Sequence, residues 1–391
     1  MRVLVVAPQP FFSPRGTPFS VYYRTLVAAE LGARIDLLTY GEGEDVDIPG
    51  VRIIRIPRVP GLGPIRVGPS WPKLVLDVVL LAWTVALLTR NRYDVVHAHE
   101  EAVFFCRYLK PIFRFKLIYD MHSSLPQQLR NFRFTSSRSL FSLFEKLEDS
   151  SLRAADAVIT ICPDLADYAV QRIPDAKRHF LIENSIFEPV RLRARPGGSA
   201  PRGQTVPELP ADRRIVLYAG TFEPYQGLDL LIPAFARVRE SQPDALLVLA
   251  GGQPAQVEHY RRLAAEVGVG DACVFTGMLE QEAVRRLMDR AAVLTSPRSQ
   301  GVNTPLKIYE QLASGIPLVA TRVPAHTQVL DEKVCFLVDP DPVSLADGIL
   351  AALRRDEECE RRVAAARALY DERYSRSAYE AKMRALLQAV S

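Results

Sequence analysis

Short runs of β-branched and aliphatic residues alternate with longer stretches of helical periodicity along nearly the whole chain. In the first half, RVLVVAP, ARIDLLTY, VRIIRIP, DVVHAH, KLIYD and AVITIC read as strands. Helix-length stretches lie between several of them, at Tyr22–Glu30, Lys73–Thr89 and Leu140–Leu152. Strands that are apolar on both faces suit a parallel sheet covered by helices. That pattern defines an expected N-terminal domain over residues 1–187.

Residues 188–213 break the alternation. EPVRLRARPGGSAPRGQTVPELPADRR is rich in proline and arginine and has no apolar period. It reads as a linker or an inserted surface loop, with arginines that face either solvent or an anionic surface. The alternation then restarts with RIVLYAG, ALLVLAGG, CVFTG, AVLTSP, PLVAT and CFLVD as strands. Helical stretches fall near Leu228–Glu240, Val257–Val267, Glu282–Arg290, Pro305–Ala313 and Val343–Arg354, and further helices near Cys359–Tyr370 and Ser377–Ala389. The expected second domain spans 214–370, with 371–391 a C-terminal helix packing back toward the N-terminal domain. Two doubly wound α/β domains imply a cleft, and ligands of such sheets bind beyond the carboxyl ends of the strands.

With 391 residues the chain is long for one core and comfortable for two. Apolar residues at 48% and charged residues at 24% are a globular balance. A net charge of +4 is too mild to argue for nucleic acid. The five cysteines form no CxxC pair or His/Cys cluster, so neither structural zinc nor a disulfide framework is expected. Reduced thiols suit a cytosolic compartment. The opening MRVLVVAPQPFF reads as a strand rather than a secretion signal. LVLDVVLLAWTVALL, Leu74 to Leu88, is short for a bilayer span and is interrupted by Asp77. A buried helix is the reading there, with an interfacial helix as the alternative.

The candidate chemistry clusters at strand ends. Thr304 is a good N-cap and Pro305 is tolerated at the first helical position, so a helix starts after AVLTSP. A helix start beyond a parallel strand suits phosphate, and Asn303 adds donors. Glu310 is either solvated or turned toward a ligand's vicinal hydroxyls. Gly16, in SPRGTPFS after the first strand, permits a left-handed turn or a close approach to a ligand; GxGxxG is absent. His97 and His99 share a strand face, but nothing nearby completes a metal set. His122 ends another strand in KLIYDMH, placed either for a cleft or to cap its turn, with Asp120 as a candidate partner.

In their order and spacing these residues resemble the retaining glycosyltransferases of GT-B architecture, in the large family 4. YDVVHAH, the strand ending in D-x-H, ADAVITICPDL and I-x-N match the acceptor half. VLYAGTFEPYQGLDLLIPAFARV, LLVLAGG, VFTG and TPLKIYEQLASGIPLVAT match the donor half. The resemblance implies two Rossmann-like domains facing across a cleft. It places Gly16 near the donor phosphates, with Arg15 where a glycine is usual, and His122 against the donor sugar. It places Glu310 on the donor ribose, the diphosphate at Asn303 and Thr304, and Gly220 and Thr221 on the donor side. Three positions depart from the family pattern. Val302 stands where the first glutamate of a pair is usual, and Thr221 and Gln226 stand where an arginine and a lysine are usual. Lost cations at a leaving diphosphate are costly unless others replace them. Arg298, Lys307 and Arg15 are the replacement candidates.

The implied reaction moves a sugar from a nucleotide sugar to an acceptor hydroxyl with retention of configuration, and requires no metal or other cofactor. The acceptor is expected to be a glycan or a lipid-linked species. Arg107, Lys110, Arg114 and Lys116, interleaved with Phe104, Phe105, Phe113 and Phe115, and then Arg130, Arg133 and Arg138 near Phe132 and Phe134, form either a solvated rim or a surface for an anionic membrane. The expected location is cytoplasmic, with a peripheral station at the inner face of the membrane. The alternatives are a catalytically weakened nucleotide-sugar binder or partner subunit, and a hydrolase or epimerase of the same fold.

Overall fold

A computed structural model describes residues 1–13, 16–59, 71–124, 126, 138–184, 190 and 208–391. The chain divides into two compact units, Met1–Pro196 with Arg376–Ser391, and Gly197–Ser375.

In the first unit the strands are β1 (Arg2–Ala7), β2 (Arg34–Thr39), β3 (Val51–Arg55), β4 (Val95–His99), β5 (Lys116–Met121), β6 (Ala157–Thr160) and β7 (His179–Leu181). They form one parallel sheet in the order β3-β2-β1-β4-β5-β6-β7. Alternation along β1 sends Leu4 and Val6 into one core layer and Val3, Val5 and Ala7 into the other. The first layer is closed by α2 (Trp71–Arg90), α3 (Val103–Phe113), α4 (Arg138–Ala154) and α5 (Pro163–Val170). The second is closed by α1 (Thr17–Glu30) and by α13 (Arg376–Ala389), which buries Tyr379, Met383 and Leu386. Each fully buried Leu or Val contributes about 1.5–3 kcal/mol, so both layers are needed to hold the sheet. Lys382 pairs with Glu183 and Arg376 with Glu30, each at 2.6 Å, fixing α13 in place.

The second unit repeats the design. Its strands are β8 (Arg214–Ala219), β9 (Ala245–Ala250), β10 (Cys273–Gly277), β11 (Ala291–Ser296), β12 (Leu318–Thr321) and β13 (Phe336–Val338), in the order β10-β9-β8-β11-β12-β13 and again parallel. The helices are α6 (Leu228–Ser241), α7 (Pro254–Glu266), α8 (Gln281–Asp289), α9 (Lys307–Ala313), α10 (Pro324–Thr327), α11 (Pro342–Arg354) and α12 (Glu357–Arg373). In each sheet the winding reverses once, at β1/β4 and at β8/β11. The carboxyl ends of those strands are where a doubly wound sheet takes a ligand.

Two expectations fail here. The helix α2 is not buried as a whole. Leu76, Leu80, Leu87 and Leu88 face the core, but Leu74, Val75 and Val78 are 53%, 44% and 67% exposed. Those three lie on the flank opposite the sheet, where no described residue covers them. Asp77 sits at the border, accepting a 2.5 Å hydrogen bond from the Tyr40 hydroxyl. Burial, with the charge of Glu101, pushes its carboxyl up to about 7. The strand β7 has no counterpart among the expected strands, because three residues at a sheet edge carry too little periodicity to read.

Candidate functional site

The second unit gathers cations and unpaired donors at its switch point. The strand β8 runs into Gly220, whose backbone at φ +156° passes close to the Tyr218 ring. The following turn closes at Gly227, with φ +75°, and a side chain there would meet the Pro297 carbonyl at 1.9 Å. That contact brings the loop after β8 against the loop after β11, and Ser299 N–H donates to the Tyr225 carbonyl at 3.0 Å. Arg298 then lies 5.0 Å from the Tyr225 ring centroid, and Lys307 Nζ lies 4.1 Å from that of Tyr218. Arg298 Nε, Thr304 Oγ1 and Lys307 Nζ are all enclosed and none has a hydrogen-bond partner among the described residues. Burial, and then the Arg298 charge, pushes the Lys307 amine down to about 7. Burial also lowers Arg298. Buried polar groups are nearly always paired, so three orphans at one strand edge mark a place for an acceptor-rich ligand.

Thr221 and Gln226 meet each other instead. Gln226 Nε2 donates to Thr221 Oγ1 at 3.2 Å, and the Tyr218 hydroxyl donates to the Thr221 carbonyl at 2.6 Å. Behind the cations, His326 is wholly buried and held down to about 4 by burial, offset in part by its bond to Thr321. Its Nδ1 donates to the Thr321 carbonyl at 2.8 Å, which leaves Nε2 to accept from Ser296 Oγ at 2.9 Å. It stays neutral beside Arg298 and Lys307.

The expected cap at Thr304 and Pro305 is not formed. The helix α9 begins at Lys307, with Leu306 as its boundary residue. Residues 301–303 are drawn elsewhere. Arg298 donates to the Asn303 carbonyl at 2.8 Å, Gln328 to the Val302 carbonyl, and Ala325 N–H to the Gly301 carbonyl at 3.1 Å. The entry turn closes with the tighter i→i+3 bonds, Ile308 N–H to Pro305 and Tyr309 N–H to Leu306. Glu310 faces α8, accepting from Gln281 Nε2 at 3.4 Å with Arg285 at 3.7 Å. Its side chain is 21% exposed, and burial raises its pKa against the pull of Arg285.

In the first unit, the adjacent strands β4 and β5 and the helix α1 build a buried charge cluster. His97 and His99 stack at 4.5 Å, and register places His99 beside Asp120. Arg24 NH1 lies 2.7 Å from both Asp120 oxygens, and its NH2 donates to the Ile182 carbonyl at 2.8 Å. His97 Nε2 is 2.9 Å and His122 Nε2 3.2 Å from the carboxylate, and His99 Nδ1 is 3.1 Å from His122 Nε2. Burial alone would raise Asp120, but Arg24 and the histidines hold it well below the carboxylate range. Burial takes His122 down to about 4. His99 Nε2 and His122 Nδ1 have no hydrogen-bond partner among the described residues. The neighbouring strand thus supplies the third ligand-type group that His97 and His99 lacked in the sequence reading, since His97, His99 and Asp120 lie close enough to hold an ion. The carboxylate is already matched by the Arg24 guanidinium, which stands where a cation would.

Gly16 opens α1 with φ +45° and open space around it. Arg15 lies outside the described residues, as do Arg130, Phe132, Arg133 and Phe134. Sequence reasoning missed Arg24, Tyr218 and His326. Arg24 was visible as an arginine on the stripe Val21, Thr25, Ala28, all buried in α1. Tyr218 and His326 gave no signal beyond an aromatic in a strand and a histidine in a loop.

Two Rossmann-like units, each with polar groups at its switch point, define the GT-B class of glycosyltransferase. The family "Glycosyl transferases group 1" matches residues 203–369, and "Glycosyl transferase 4-like domain" matches 22–185. The chain belongs to the group 1 glycosyltransferases of family 4. It is 27% identical over 361 residues to the D-inositol 3-phosphate glycosyltransferase of Acidothermus cellulolyticus, covering 82% of this chain and 74% of that one. It is 24% identical over 266 residues, or 64% of its length, to YtcC of Bacillus subtilis, of which it spans 61%. Sucrose-phosphate synthase from Thermosynechococcus elongatus shares the fold, with TM-score 0.72 at 21% identity over 99% of this chain and 98% of that one.

Proposed function

We propose that the protein transfers a sugar from a nucleoside-diphosphate sugar to an acceptor hydroxyl with retention of configuration. The observation that carries this reading is the trio of enclosed, unpartnered groups Arg298 Nε, Lys307 Nζ and Thr304 Oγ1 beyond β8 and β11. A diphosphate offers the acceptors they lack. As the bond between anomeric carbon and diphosphate breaks, charge develops on the departing oxygens and falls on Arg298 and Lys307. Glu310 accepts from the ribose hydroxyls, and Asn303, Gly220 and Thr221 line the donor. No metal enters this scheme.

The acceptor is a glycan or a lipid-linked species, reached at the inner face of the membrane. The exposed flank of α2, with exposed Tyr108 and Ile112 on α3, supports the lipid-linked form. The Acidothermus relative is named as a D-inositol 3-phosphate glycosyltransferase. The neutral Thr221–Gln226 pair favours a second reading, a nucleotide-sugar binder without transfer.

Calorimetry with UDP, GDP and ADP sugars, wild type beside Glu310→Ala, tests the donor site. Selective binding that the substitution weakens supports it; a folded protein that binds no donor refutes it. Turnover that depends on added acceptor then separates transfer from hydrolysis, and a mere binder shows neither.

A further inference from the structure

Lys307 is an unusual place for a permanent charge. An ammonium is strongly hydrated and carries three N–H donors, yet this one is enclosed with no acceptor. The groups around it are neutral or positive. Tyr218 faces it from β8, and a side chain at Gly220 would begin 3.5 Å from its nitrogen. Arg298 faces it from the loop after β11, with Tyr225 beneath that guanidinium. From α10, His326 is engaged with Ser296 and Thr321. On its own helix, Glu310 turns to Gln281 and Arg285. No salt bridge reaches Lys307 among the described residues.

We propose that above neutral pH the Lys307 amine is uncharged in the donor-free site and takes up a proton when the diphosphate of a nucleotide sugar docks beside it and Arg298. This rests on the donor reading above. The diphosphate of a nucleotide sugar is a diester with two negative charges and no oxygen that titrates near neutrality. Arg298 answers one charge. The second is answered by a new N–H bond on Lys307, its proton drawn from solvent. Holding both cations in the empty site would set like charges together with little water, and the neutral amine avoids that. The downward push on Lys307 from burial and from Arg298 agrees. Donor affinity then weakens as pH rises past neutral, while the free enzyme keeps a compact, singly charged site.

The test is calorimetric titration of the full chain with UDP-glucose, GDP-mannose and ADP-glucose in buffers of different ionisation heat. With the amine near 7, about 0.9 proton is taken up per donor bound at pH 8 and about 0.1 at pH 6. Lys307→Arg binds with no uptake and with an affinity that is flat from pH 7 to 9. Lys307→Met binds more weakly at pH 7 and also takes up no proton. Binding by the wild type without buffer-dependent heat overturns the proposal and leaves the donor site standing. If no donor binds, NMR of the lysine ε-carbon in the donor-free chain divides the outcomes. A lysine that titrates near 7, absent in Lys307→Met, supports the uncharged amine and sinks the donor reading; full charge up to pH 9 sinks both.

Discussion

Replacing Arg24 by leucine isolates one charge in the core of the first unit. Arg24 and Asp120 are 1% and 0% exposed, and a single guanidinium nitrogen touches both carboxylate oxygens at 2.7 Å. At an effective dielectric of about 20 the gross attraction is roughly 6 kcal/mol. Part is recovered in the variant, because His97 and His122 already lie against the carboxylate and His122 can take a proton. The net loss is then about 3–5 kcal/mol, typical of a buried pair that loses one partner. Both tryptophans, Trp71 and Trp83, lie on α2, so tryptophan fluorescence follows the first unit's unfolding alone. With a urea slope of about 2 kcal/mol per molar, the midpoint falls by about 2 M. Adding Asp120→Asn removes the stranded charge and recovers at least half of the loss. A midpoint shift below about 0.5 M, or a double variant no more stable than Arg24→Leu, refutes this account of the cluster.

Glu310→Ala weakens nucleotide-sugar binding about 10- to 100-fold, the loss of one or two hydrogen bonds to a charged group, without changing the unfolding midpoint. Gly227→Ala places a methyl 1.9 Å from the Pro297 carbonyl at φ +75°, which forces the two loops apart; donor affinity falls at least tenfold and circular dichroism reports a loss of about 1–3 kcal/mol. His326 is depressed to about 4 in the fold against about 6.5 unfolded. Its contribution is therefore complete above about 6.5 and lost as pH falls toward 4, roughly 3 kcal/mol in all. Hydrogen exchange of the β11 and β12 amides shows that loss in the wild type and a flatter profile in His326→Gln. Leu74→Ser/Val75→Ser/Val78→Ser abolishes binding to anionic vesicles and leaves donor binding intact; unchanged vesicle binding rules out the α2 flank as the membrane contact.

The sheets were legible because parallel strands buried on two faces write themselves as continuous apolar runs. RVLVVAP and ALLVLAGG are unambiguous, and most of the longer helices were found to within about five residues, while α3, α5 and the short α10 were not read. Helix starts were less legible. Thr304 and Pro305 carry a proper capping signature, but capping is local, and Arg298 from upstream and Ala325 and Gln328 from downstream claim the preceding carbonyls. The helix α2 misled for a related reason. Its composition is apolar all round, and composition does not say which faces the rest of the fold covers. The histidine cluster shows the same limit. His97 and His99 could be placed on one face of β4, but Asp120 joins them only through register with β5, and Arg24 through the packing of α1.

Two of the departures from the family pattern, Thr221 and Gln226, meet in one loop on this geometry. Thr221 and Gln226 occupy the two positions where cations are usual, and Gln226 Nε2 donates to Thr221 Oγ1. Their loop still approaches the loop after β11, through Gly227 and the Tyr225 carbonyl. That approach gives Arg298 the Tyr225 ring to lie on, while β8 gives Lys307 the Tyr218 ring. Aromatic faces hold a cation without consuming its N–H donors. A carboxylate partner would have spent them and cancelled the charge. The tyrosines therefore keep the Arg298 guanidinium and the Lys307 amine buried and oriented with donors to spare, Arg298 Nε and Lys307 Nζ among them, and this is the condition under which a diphosphate gains most from meeting them. On the proposed function, the positive charge of this site has moved from the loop after β8 to the loop after β11 and the start of α9. On that reading, restoring Thr221→Arg and Gln226→Lys in the wild type raises donor affinity less than tenfold, because the diphosphate's charge is already met. In Arg298→Ala/Lys307→Ala the same two substitutions rescue it by more than tenfold. Equal gains in the two backgrounds would mean that Arg298 and Lys307 never faced the phosphates.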